Sequence, residues 1–349
     1  MRALVAMSGG VDSSVAAALM KDDGHEVVGV TLKLWSGPNG EAPTAGCCTV
    51  SDAEDARRVA AQLDVPYYVL DYTDDFKGGV VERFVADYAS GRTPNPCIEC
   101  NRTVKFDRLL SRLDDFDCDV LVTGHHARNV EEEATWSLRR GKDSAKDQSY
   151  VLSMLTQSEL SRTRFPVGEM TKKQVRAVAA GMGLRTAIKA ESMDICFVGS
   201  RDYRGFLRDV APEVFRPGLV VDAEGNLLSE HDGIAEFTIG QRKGLGVAAG
   251  EPRFVIDIQP ATATVVIGGV HDLAVSGVTL DQMTWTSGEM ADAEVMAQYR
   301  AHGEPVAASL TGSTLDFARP QRAVAPGQTV AFYDGDRVLG GALIAGTLR

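Results

Sequence analysis

The sequence lacks the features that mark membrane and secreted proteins. No stretch approaches the roughly eighteen consecutive apolar residues that a membrane-spanning helix requires. Only five apolar residues separate Arg2 from Ser8, too few for the apolar region of a secretory signal peptide. We therefore expect a cytoplasmic protein with no membrane segment.

The chain also lacks an excess of positive charge. It carries 36 Lys and Arg residues against 48 Asp and Glu residues, a net charge of −12. This argues against indiscriminate binding to nucleic acid but allows a local basic face for one folded RNA. A solvated helix face is the alternative explanation for each basic group. The candidate groups are Arg102, Lys105 and Arg108; Arg139, Arg140 and Lys142; and Lys172, Lys173 and Arg176.

Cysteine is too sparse for a disulfide scaffold, with six residues in the chain. In a cytoplasmic protein such cysteines indicate metal or redox chemistry instead. Cys47 and Cys48 are adjacent, a poor spacing for two ligands of one ion, and we expect them to be non-catalytic. The length predicts two or three domains.

Residues 8–13, called the glycine turn below, carry the most informative motif. An apolar strand at 4–6 precedes Gly9 and Gly10, and helical spacing follows, so a strand, a tight turn and a helix are predicted. The turn and the helix N-terminus together make an anion site. The Walker pattern is excluded because no lysine follows. SGGVDSS instead resembles the pyrophosphate loop of enzymes that cleave ATP between its α and β phosphates and adenylate a substrate.

In that interpretation Asp12 takes part in magnesium and pyrophosphate handling, and Ser8 and Ser13 donate to phosphate. The alternative is an ordinary glycine-rich turn of a doubly wound sheet.

An alternation of strands and helices predicts a doubly wound parallel sheet over roughly the first 200 residues, with helices on both faces. Ser51 and Glu54 have the spacing of a capping box at a helix start. Ligands of such sheets bind beyond the carboxyl ends of the strands. Further strands are predicted at 26–32, 67–70 and 120–123. We expect four stretches to converge at those ends: the glycine turn, 93–101, 124–126 and 192–197.

The pattern changes after about residue 206 to short apolar runs separated by glycines. Strands at 236–239, 254–258 and 264–267 predict a small mixed domain. From about residue 278 the β pattern is continuous, which fits a β-barrel. The expected domains are 1–205, 206–272 and 273–349.

Cys97 and Cys100 form a C-x-x-C pair at the predicted start of a helix. Pro94 and Pro96 stiffen the approach to this pair, and a helix N-terminus favours the nucleophilic thiolate. Cys196 lies between Ile195 and Phe197, so it could equally be a small buried apolar residue.

Taken together, the chain resembles the bacterial tRNA-specific 2-thiouridylase (MnmA) family along essentially its whole length. The resemblance implies a nucleotide-binding domain of the adenine-nucleotide α-hydrolase type, a small central domain and a C-terminal β-barrel. It also implies ATP-dependent thiolation of the wobble uridine, U34, in tRNAs for Lys, Glu and Gln. The matching blocks are AMSGGVDSSV, GRTPNPCIECNRTVKFD, TGHHARN, KDQSYVL, ICFVGSRDYRGFL, TIGQRKGLG and PGQTVAFYDG.

The resemblance implies which residues contact ATP and tRNA, with Mg²⁺ accompanying the nucleotide. The implied ATP contacts are Ala6, Met7, Ser8, Gly9, Gly10, Val11, Asp12, Ser13, Leu32 and Gly124. The implied tRNA contacts are His125, Lys146, Asp147, Gln148, Tyr299, Arg300 and Gln328.

The resemblance also implies a sulfur route. Cys196 would carry a persulfide delivered by a cysteine desulfurase or a sulfur-relay protein. Cys100 would attack the inner sulfur and leave a disulfide for a reductant to open. Many members have an aspartate where this chain has Cys97, so three thiolates could instead hold a [4Fe–4S] cluster with one iron open. Zinc would need a fourth ligand. The relay and the cluster stay open as alternatives.

Two other functions are compatible with parts of the sequence. One is a pyrophosphate-loop ligase or amidotransferase that acts on a small molecule, and the other is a non-catalytic RNA-binding protein with a nucleotide fold. A ligase that uses ammonia has no need of Cys100 and Cys196. A pure binding protein has no need of an intact SGGVDSS.

Overall fold

The computed structural model describes residues 1–37, 49–190, 195–198, 202–247, 250–286, 288, 290 and 292–349. Cys47 and Cys48, and residues 192–194 of the stretch that we expected to converge, lie outside the described residues. Within the described ranges, no helix is both long and apolar enough to cross a membrane.

The N-terminal half contains the predicted parallel sheet. Five strands pair in the order β3-β2-β1-β4-β7, and every neighbouring pair is parallel. The first seven strands of the chain are β1 Arg2–Ala6, β2 Glu26–Lys33, β3 Tyr67–Asp71, β4 Val120–Val122, β5 Ala127–Glu132, β6 Thr135–Arg140 and β7 Thr163–Arg164. The α-helices are α1 Val11–Asp22, α2 Val50–Gln62, α3 Thr73–Phe76, α4 Glu82–Ala89, α5 Pro96–Cys100, α6 Asp107–Ser111, α7 Gln157–Ser161, α8 Lys172–Gly181 and α9 Tyr203–Val210.

Alternating side chains of the central strands build a core on each face of the sheet. In β1, Leu4 joins one buried cluster while Ala3 and Val5 join the other. This follows from the two-residue period of a strand. Helices α1, α2 and α8 cover the second face, so the fold brings the start of α8 beside the start of α1.

Two helical segments on the other face each contain a π-helical turn. Residues Lys77–Val81 connect α3 to α4, and Asn101–Phe106 connect α5 to α6. The two turns lie against each other, because a Cβ on Gly79 would be 3.1 Å from Thr103 Oγ1. Single π turns inside helices are frequent at functional sites, and the second one begins directly after Cys100.

The central domain is a four-stranded sheet in the order β10-β11-β8-β9. The predicted strand at 236–239 is wrong: a 3₁₀ turn, Ile234–Glu236, ends at its first residue, and residues 237–239 are not in a strand. Phe237 and Ile239 pack in the core of this domain, so their alternating apolar character gave a misleading strand signal. The strands are β8 Gly218–Val221, β9 Leu227–His231, β10 Phe254–Gln259 and β11 Thr264–Gly268.

The C-terminal domain is the predicted barrel. Its antiparallel strands pair in the order β12-β15-β14-β13-β16-β17, and a β12–β17 pairing closes the ring. The strands are β12 Ala274–Trp285, β13 Asp292–Gln298, β14 Val306–Thr311, β15 Thr314–Arg322, β16 Thr329–Asp334 and β17 Arg337–Leu348. We keep 1–205, 206–272 and 273–349 as our proposed division of the chain.

A hairpin from the N-terminal half binds to the barrel. Strands β5 and β6 pair with each other, and Arg139 of β6 pairs with Arg337 of β17. Asp336 accepts hydrogen bonds from Arg139 Nη1 at 2.7 Å and from Arg128 Nη2 at 2.5 Å. The barrel is therefore tied to the segment that follows β4, where the candidate site lies.

Candidate active site

The glycine turn is closed by backbone contacts that only glycine permits. Gly9 has a φ of +71°, and a Cβ there would be 2.2 Å from the backbone oxygen of Asp52. A Cβ on Gly124, just beyond β4, would be 2.5 Å from the backbone nitrogen of Ser13. The end of β4, the start of α1 and the start of α2 therefore meet as bare backbone, a cradle suited to phosphate groups.

The hydroxyl groups of the turn hold it in shape. Ser8 N donates to Ser13 Oγ at 3.1 Å, and Ser13 Oγ donates to the carbonyl of Gly10 at 3.2 Å. Ser14 Oγ donates to the same carbonyl at 2.8 Å. Ser8 is exposed and Ser13 is buried, so Ser8 is the better placed of the two predicted phosphate donors.

Asp12 forms the charged centre of the site. Lys172 Nζ donates to both carboxylate oxygens, at 2.9 and 2.7 Å, and His126 Nε2 lies 3.0 Å from Oδ1. Burial raises the pKa of the Asp12 carboxyl, but the hydrogen bonds with His126 and Lys172 outweigh burial and hold this pKa below its ordinary value. The carboxylate is therefore ionised and fixed in position before any ligand binds.

Lys189 holds the other side of the turn. Its Nζ donates to the carbonyl of Gly9 at 3.0 Å and to the carboxylates of Asp52 and Asp55 at 2.7 Å each. Burial lowers the pKa of Lys189, but the two carboxylates outweigh burial and raise it. Lys189 thus links the glycine turn to the start of α2 and to the segment that leads toward Cys196.

The other predicted ATP contacts lie under the turn. Met7 is buried, donates from its backbone nitrogen to Val30 O at 2.7 Å and covers Gly29, where a Cβ would be 2.7 Å from Met7 Sδ. Leu32 and Val11 are buried and Ala6 is partly buried. Their packing accounts for these apolar residues, and their contact with ATP stays a prediction.

His125 follows β4 and is held as a neutral imidazole. Its Nδ1 lies 2.7 Å from Thr123 Oγ1, and its ring centroid is 6.0 Å from Phe106 and 6.1 Å from Phe165. Burial lowers the pKa of His125 to about 3, with a further contribution from the charge of Lys105. Any contact with tRNA would therefore use hydrogen bonding or stacking and not positive charge.

Asp147 and Gln148 brace the same loop. Gln148 Oε1 accepts from His126 N, and Gln148 N donates to His126 O, both at 2.9 Å. The Asp147 carboxylate is buried and accepts from Arg140 Nη1 at 2.7 Å and from Ser149 N at 3.0 Å. These contacts orient His126 toward Asp12. The tRNA contacts predicted for Asp147, Gln148 and the neighbouring Lys146 stay predictions.

Gln328 connects the barrel to the cysteine loop. Its Nε2 donates to Thr93 O at 2.7 Å, and Thr93 N donates to Pro326 O at 2.8 Å. On the barrel rim, Tyr299 OH donates to Gln321 Oε1 at 3.1 Å, while Arg300 Nη2 donates to Arg322 O at 2.6 Å. The barrel therefore supports the loop that leads into α5, and the tRNA contacts of Tyr299, Arg300 and Gln328 stay predictions.

Phe197, the residue after Cys196, packs against four other rings, and we call the five the aromatic cluster: Trp35, Phe76, Phe84, Phe197 and Phe206. Cys100, the last residue of α5, is buried in the hydrophobic core that includes Phe197, and the half-buried Cys196 packs against that core. Cys97, one turn earlier in α5, is exposed.

A short series of contacts connects Asn101, the residue after Cys100, to the glycine turn. Asn101 Nδ2 donates to Val151 O at 3.0 Å, and Val151 N donates to Gln148 O at 3.2 Å. Gln148 in turn holds His126, which contacts Asp12. The structure therefore brings three of the four predicted stretches together, and it places the described part of the fourth against the same core.

The described residues do not form the [4Fe–4S] site that the sequence left open as an alternative. Across those ranges, no three His, Cys, Asp or Glu side chains are grouped so as to hold a metal ion. Cys97 is exposed whereas Cys100 is buried. Three thiolates around a [4Fe–4S] cluster do not fit this arrangement. The single carboxylate of Asp12 does suit Mg²⁺, which usually takes one or two carboxylates together with phosphate oxygens.

Sequence reasoning missed the charged partners that complete the site. The sequence patterns place His126 only within a converging stretch and Lys172 only within a basic group, and they assign Lys189 no role. The basic groups are largely paired: Arg102 with Glu99 at 2.6 Å, Arg139 with Asp336 at 2.7 Å and Lys172 with Asp12. Only Lys172 could have been found from the sequence, because it is a lysine at the start of a helix that follows the sheet.

Comparisons with known proteins find matches along nearly the whole chain. Family models match residues 1–200 (tRNA methyl transferase HUP domain), 204–269 (tRNA methyl transferase PRC-barrel domain) and 275–344 (aminomethyltransferase beta-barrel domain). Relatives named tRNA-specific 2-thiouridylase MnmA include one from Acidothermus cellulolyticus, 48% identical over 100% of this chain and 99% of its own. Others, from Roseiflexus sp. and Herpetosiphon aurantiacus, are 46% identical over 98% of both chains. The chain belongs to the family of tRNA-specific 2-thiouridylases, MnmA.

Proposed function

We propose that this protein uses ATP to replace the C2 oxygen of the wobble uridine, U34, with sulfur in tRNAs for Lys, Glu and Gln, and that it does so in the cytoplasm. The observation that carries the proposal is the connection between a nucleotide site and a pair of cysteines. A closed glycine turn with a fixed carboxylate lies at one end, and two cysteines against one apolar core lie at the other. Asn101, Gln148 and His126 join the two ends.

The first step makes the uridine oxygen a leaving group. The C2 oxygen attacks the α-phosphorus of ATP, the bond to the pyrophosphate breaks, and an adenylated uridine remains. The backbone of the glycine turn and the Lys172 ammonium are suited to the departing pyrophosphate, whose negative charge grows as that bond breaks. Mg²⁺, when bound, supplies further charge neutralisation, and Asp12 is the residue suited to hold it.

The second step delivers sulfur. A persulfide donor, a cysteine desulfurase or a relay protein, passes one sulfane sulfur to Cys196. The Cys100 thiolate attacks the inner sulfur of that persulfide, a Cys100–Cys196 disulfide forms, and hydrosulfide leaves. Hydrosulfide adds to C2 and AMP departs. A dithiol reductant then supplies the two electrons that reopen the disulfide.

The position of the cysteines supports this relay over a cluster. Cys100 and Cys196 lie against the same core, and Cys97, the third thiol that a cluster would require, is exposed. The apolar surroundings also shield hydrosulfide from dilution into solvent. We therefore assign Cys97 no step in the transfer.

Nucleoside analysis tests the proposal directly. Unmodified tRNA with a wobble uridine is incubated with ATP, Mg²⁺, a cysteine desulfurase with cysteine, and a dithiol reductant, and its nucleosides are analysed by mass. We expect a sulfur-for-oxygen change at the wobble position that depends on ATP. A methyl-group increase would instead support the methyl transfer that two of the family descriptions name. An unchanged tRNA would contradict the proposal.

A further inference from the structure

A cleft in the central domain is not used by the chemistry described above. Its volume is about 680 Å³, and it lies between α9 and residues 238–246, which we call the basic loop. Five of the six lining residues carry charged or amide side chains. The lining residues are Arg204, Glu236, Gln241, Arg242, Lys243 and Gly244.

The basic loop has a fixed shape. Gly240 N donates to Val255 O at 2.8 Å, and Val255 N donates to Gln241 O at 3.0 Å, so the loop is fastened to β10. The Gln241 side chain closes the turn, because Oε1 accepts from Thr238 N at 3.1 Å and Nε2 donates to Lys243 O at 3.0 Å. The backbone of Arg242 and Lys243 is therefore held beside the cleft before any partner arrives.

The cleft has an excess of positive charge. Arg242 and Lys243 are exposed, and neither has an ion-pair partner among the residues that the structure describes. The single acid of the lining, Glu236, is paired with Arg208. Arg204 Nε donates to Glu236 O at 2.8 Å, and Arg204 Nη1 pairs with Asp202 at 3.1 Å. In a chain of net charge −12, two such cations beside one cleft mark a site for an anion.

The cleft adjoins the side of the molecule that carries Cys196. Tyr203 stacks on Tyr88 of α4 with ring centroids 4.5 Å apart. Phe206, on the same helix as Arg204, lies 5.1 Å from Phe197, the residue next to Cys196. A polyanion that passes Cys196 and follows the exposed side of α9 would reach the basic loop.

We propose that this cleft binds backbone phosphates of the substrate tRNA, away from the base that reacts. The inference rests on the proposed function for its ligand. Two cations on a fixed loop suit the repeated charges of a nucleic-acid backbone, whereas sites for small ligands are lined mainly by apolar side chains. The cleft adds affinity and orientation and reads no sequence.

The test is tRNA binding as a function of salt. The double variant Arg242→Ala/Lys243→Ala is compared with the wild type by equilibrium binding of unmodified tRNA. We expect the Kd to rise about tenfold, and the slope of log Kd against log salt to fall by about two, one for each phosphate that the variant no longer neutralises. The charge-preserving variant Arg242→Lys/Lys243→Arg is expected to restore most of both.

A matched control removes two exposed arginines from the N-terminal half, Arg57→Ala/Arg185→Ala. It has the same change in net charge and is expected to bind tRNA nearly as the wild type does. Equal losses in the two double variants would overturn the proposal, since only net charge would then matter. Thermal unfolding of each variant shows that it folds, and a double variant that does not fold is replaced by Lys243→Gln, with an expected fall in slope of about one.

Two further outcomes separate the possible partners. Wild-type affinity for tRNA with loss of sulfur delivery from the cysteine desulfurase would overturn the proposal, because the cleft would then dock a protein. A wild-type enzyme that binds tRNA through the cleft but makes no thiouridine would refute the proposed function and leave this inference standing.

Discussion

The two halves of the candidate site are held by different forces. On the nucleotide side, charged groups are paired at hydrogen-bond distance: Asp12 with Lys172 and His126, and Lys189 with Asp52 and Asp55. On the sulfur side, Cys100 lies in the hydrophobic core that includes Phe197, and Cys196 packs against the same core.

The difference matches the chemistry of each half. Charge develops on the pyrophosphate as ATP is cleaved, and preorganised charges stabilise such a change without reorganising. In the proposed relay a thiolate attacks and hydrosulfide leaves, and the apolar core beside the cysteines limits the escape of hydrosulfide into solvent. The comparison predicts that the two halves can be disabled separately.

The largest expected effect comes from the cysteines. Cys100→Ser and Cys196→Ser each remove a sulfur that must form a bond, so we expect no detectable thiolation, measured by nucleoside analysis. ATP and tRNA binding should stay close to wild type because the nucleotide side is held by other residues. Full activity in either variant would refute its assigned role.

Cys118 provides the matched control for these substitutions. It is also buried, but its Sγ donates to Phe116 O at 3.4 Å, a bond that a serine hydroxyl can replace. We expect Cys118→Ser to keep thiolation. Cys97→Ser should also keep activity in the relay. Loss in Cys97→Ser, together with iron and sulfide in anaerobically prepared protein, would establish the cluster instead.

The second effect is on the nucleotide side. Lys172→Ala removes the ammonium that holds Asp12, and we expect tRNA-dependent pyrophosphate release to fall by about 10²–10³-fold. Asp12→Ala should suppress the same step. The neighbouring Lys173→Ala, an exposed lysine one residue along α8, is the control and should release pyrophosphate at nearly the wild-type rate. Equal rates in Lys172→Ala and the wild type would remove Lys172 from the site.

A smaller effect is expected from two glycines that share a backbone conformation. Gly9 and Gly24 have φ values of +71° and +79°, but only Gly9 is crowded, since no atom lies within 4 Å of a Cβ at Gly24. Alanine should cost about 1–2 kcal/mol of unfolding free energy at Gly24, from the left-handed conformation alone. At Gly9 we expect a larger loss together with loss of ATP binding, measured by denaturant unfolding and nucleotide titration. Similar losses at both positions would mean that the turn opens to accept a side chain.

The sequence predicted the sheet, the barrel and the glycine turn because each depends on a local pattern. Alternation, glycines and chain order suffice for β1 to β4 and for the turn at Gly9. One local signal was ambiguous, because two overlapping residue pairs have the spacing of a capping box. Helix α2 begins with the pair Thr49 and Asp52, two residues before the pair Ser51 and Glu54 that we expected.

The charged partners could not be predicted because they come from distant parts of the chain. Lys172 lies 160 residues from Asp12, and Lys189 lies 180 residues from Gly9. Such contacts follow from how the layers stack, which no local pattern records. The β5–β6 hairpin was missed for a different reason: Glu133 and Ala134 form its turn with φ values of +47° and +67°, without the glycine or asparagine that signals such a turn.

The smallest expected effect is on the pH dependence of stability. The pKa of His125 is about 3 in the folded protein, against an ordinary value of 6.5. Between these two pH values His125 is protonated in the unfolded chain but neutral in the folded protein. Folding stability should therefore fall as the pH drops from about 6.5 toward 3. His125→Asn should reduce this slope in denaturant unfolding at several pH values. The lowered pKa of Asp12 acts with the same sign, but only below its ordinary value of 3.8. Identical slopes above pH 4 would contradict the assignment.

The most direct test of the account follows pyrophosphate and thiouridine in one reaction with Cys196→Ser, ATP, Mg²⁺, unmodified tRNA and a sulfur donor. We predict that pyrophosphate appears in an amount comparable to the enzyme, only when tRNA is present, and that no 2-thiouridine forms. Thiouridine formation by this variant, or the absence of pyrophosphate from a variant that still binds ATP and tRNA, would contradict the separation of adenylation from sulfur transfer.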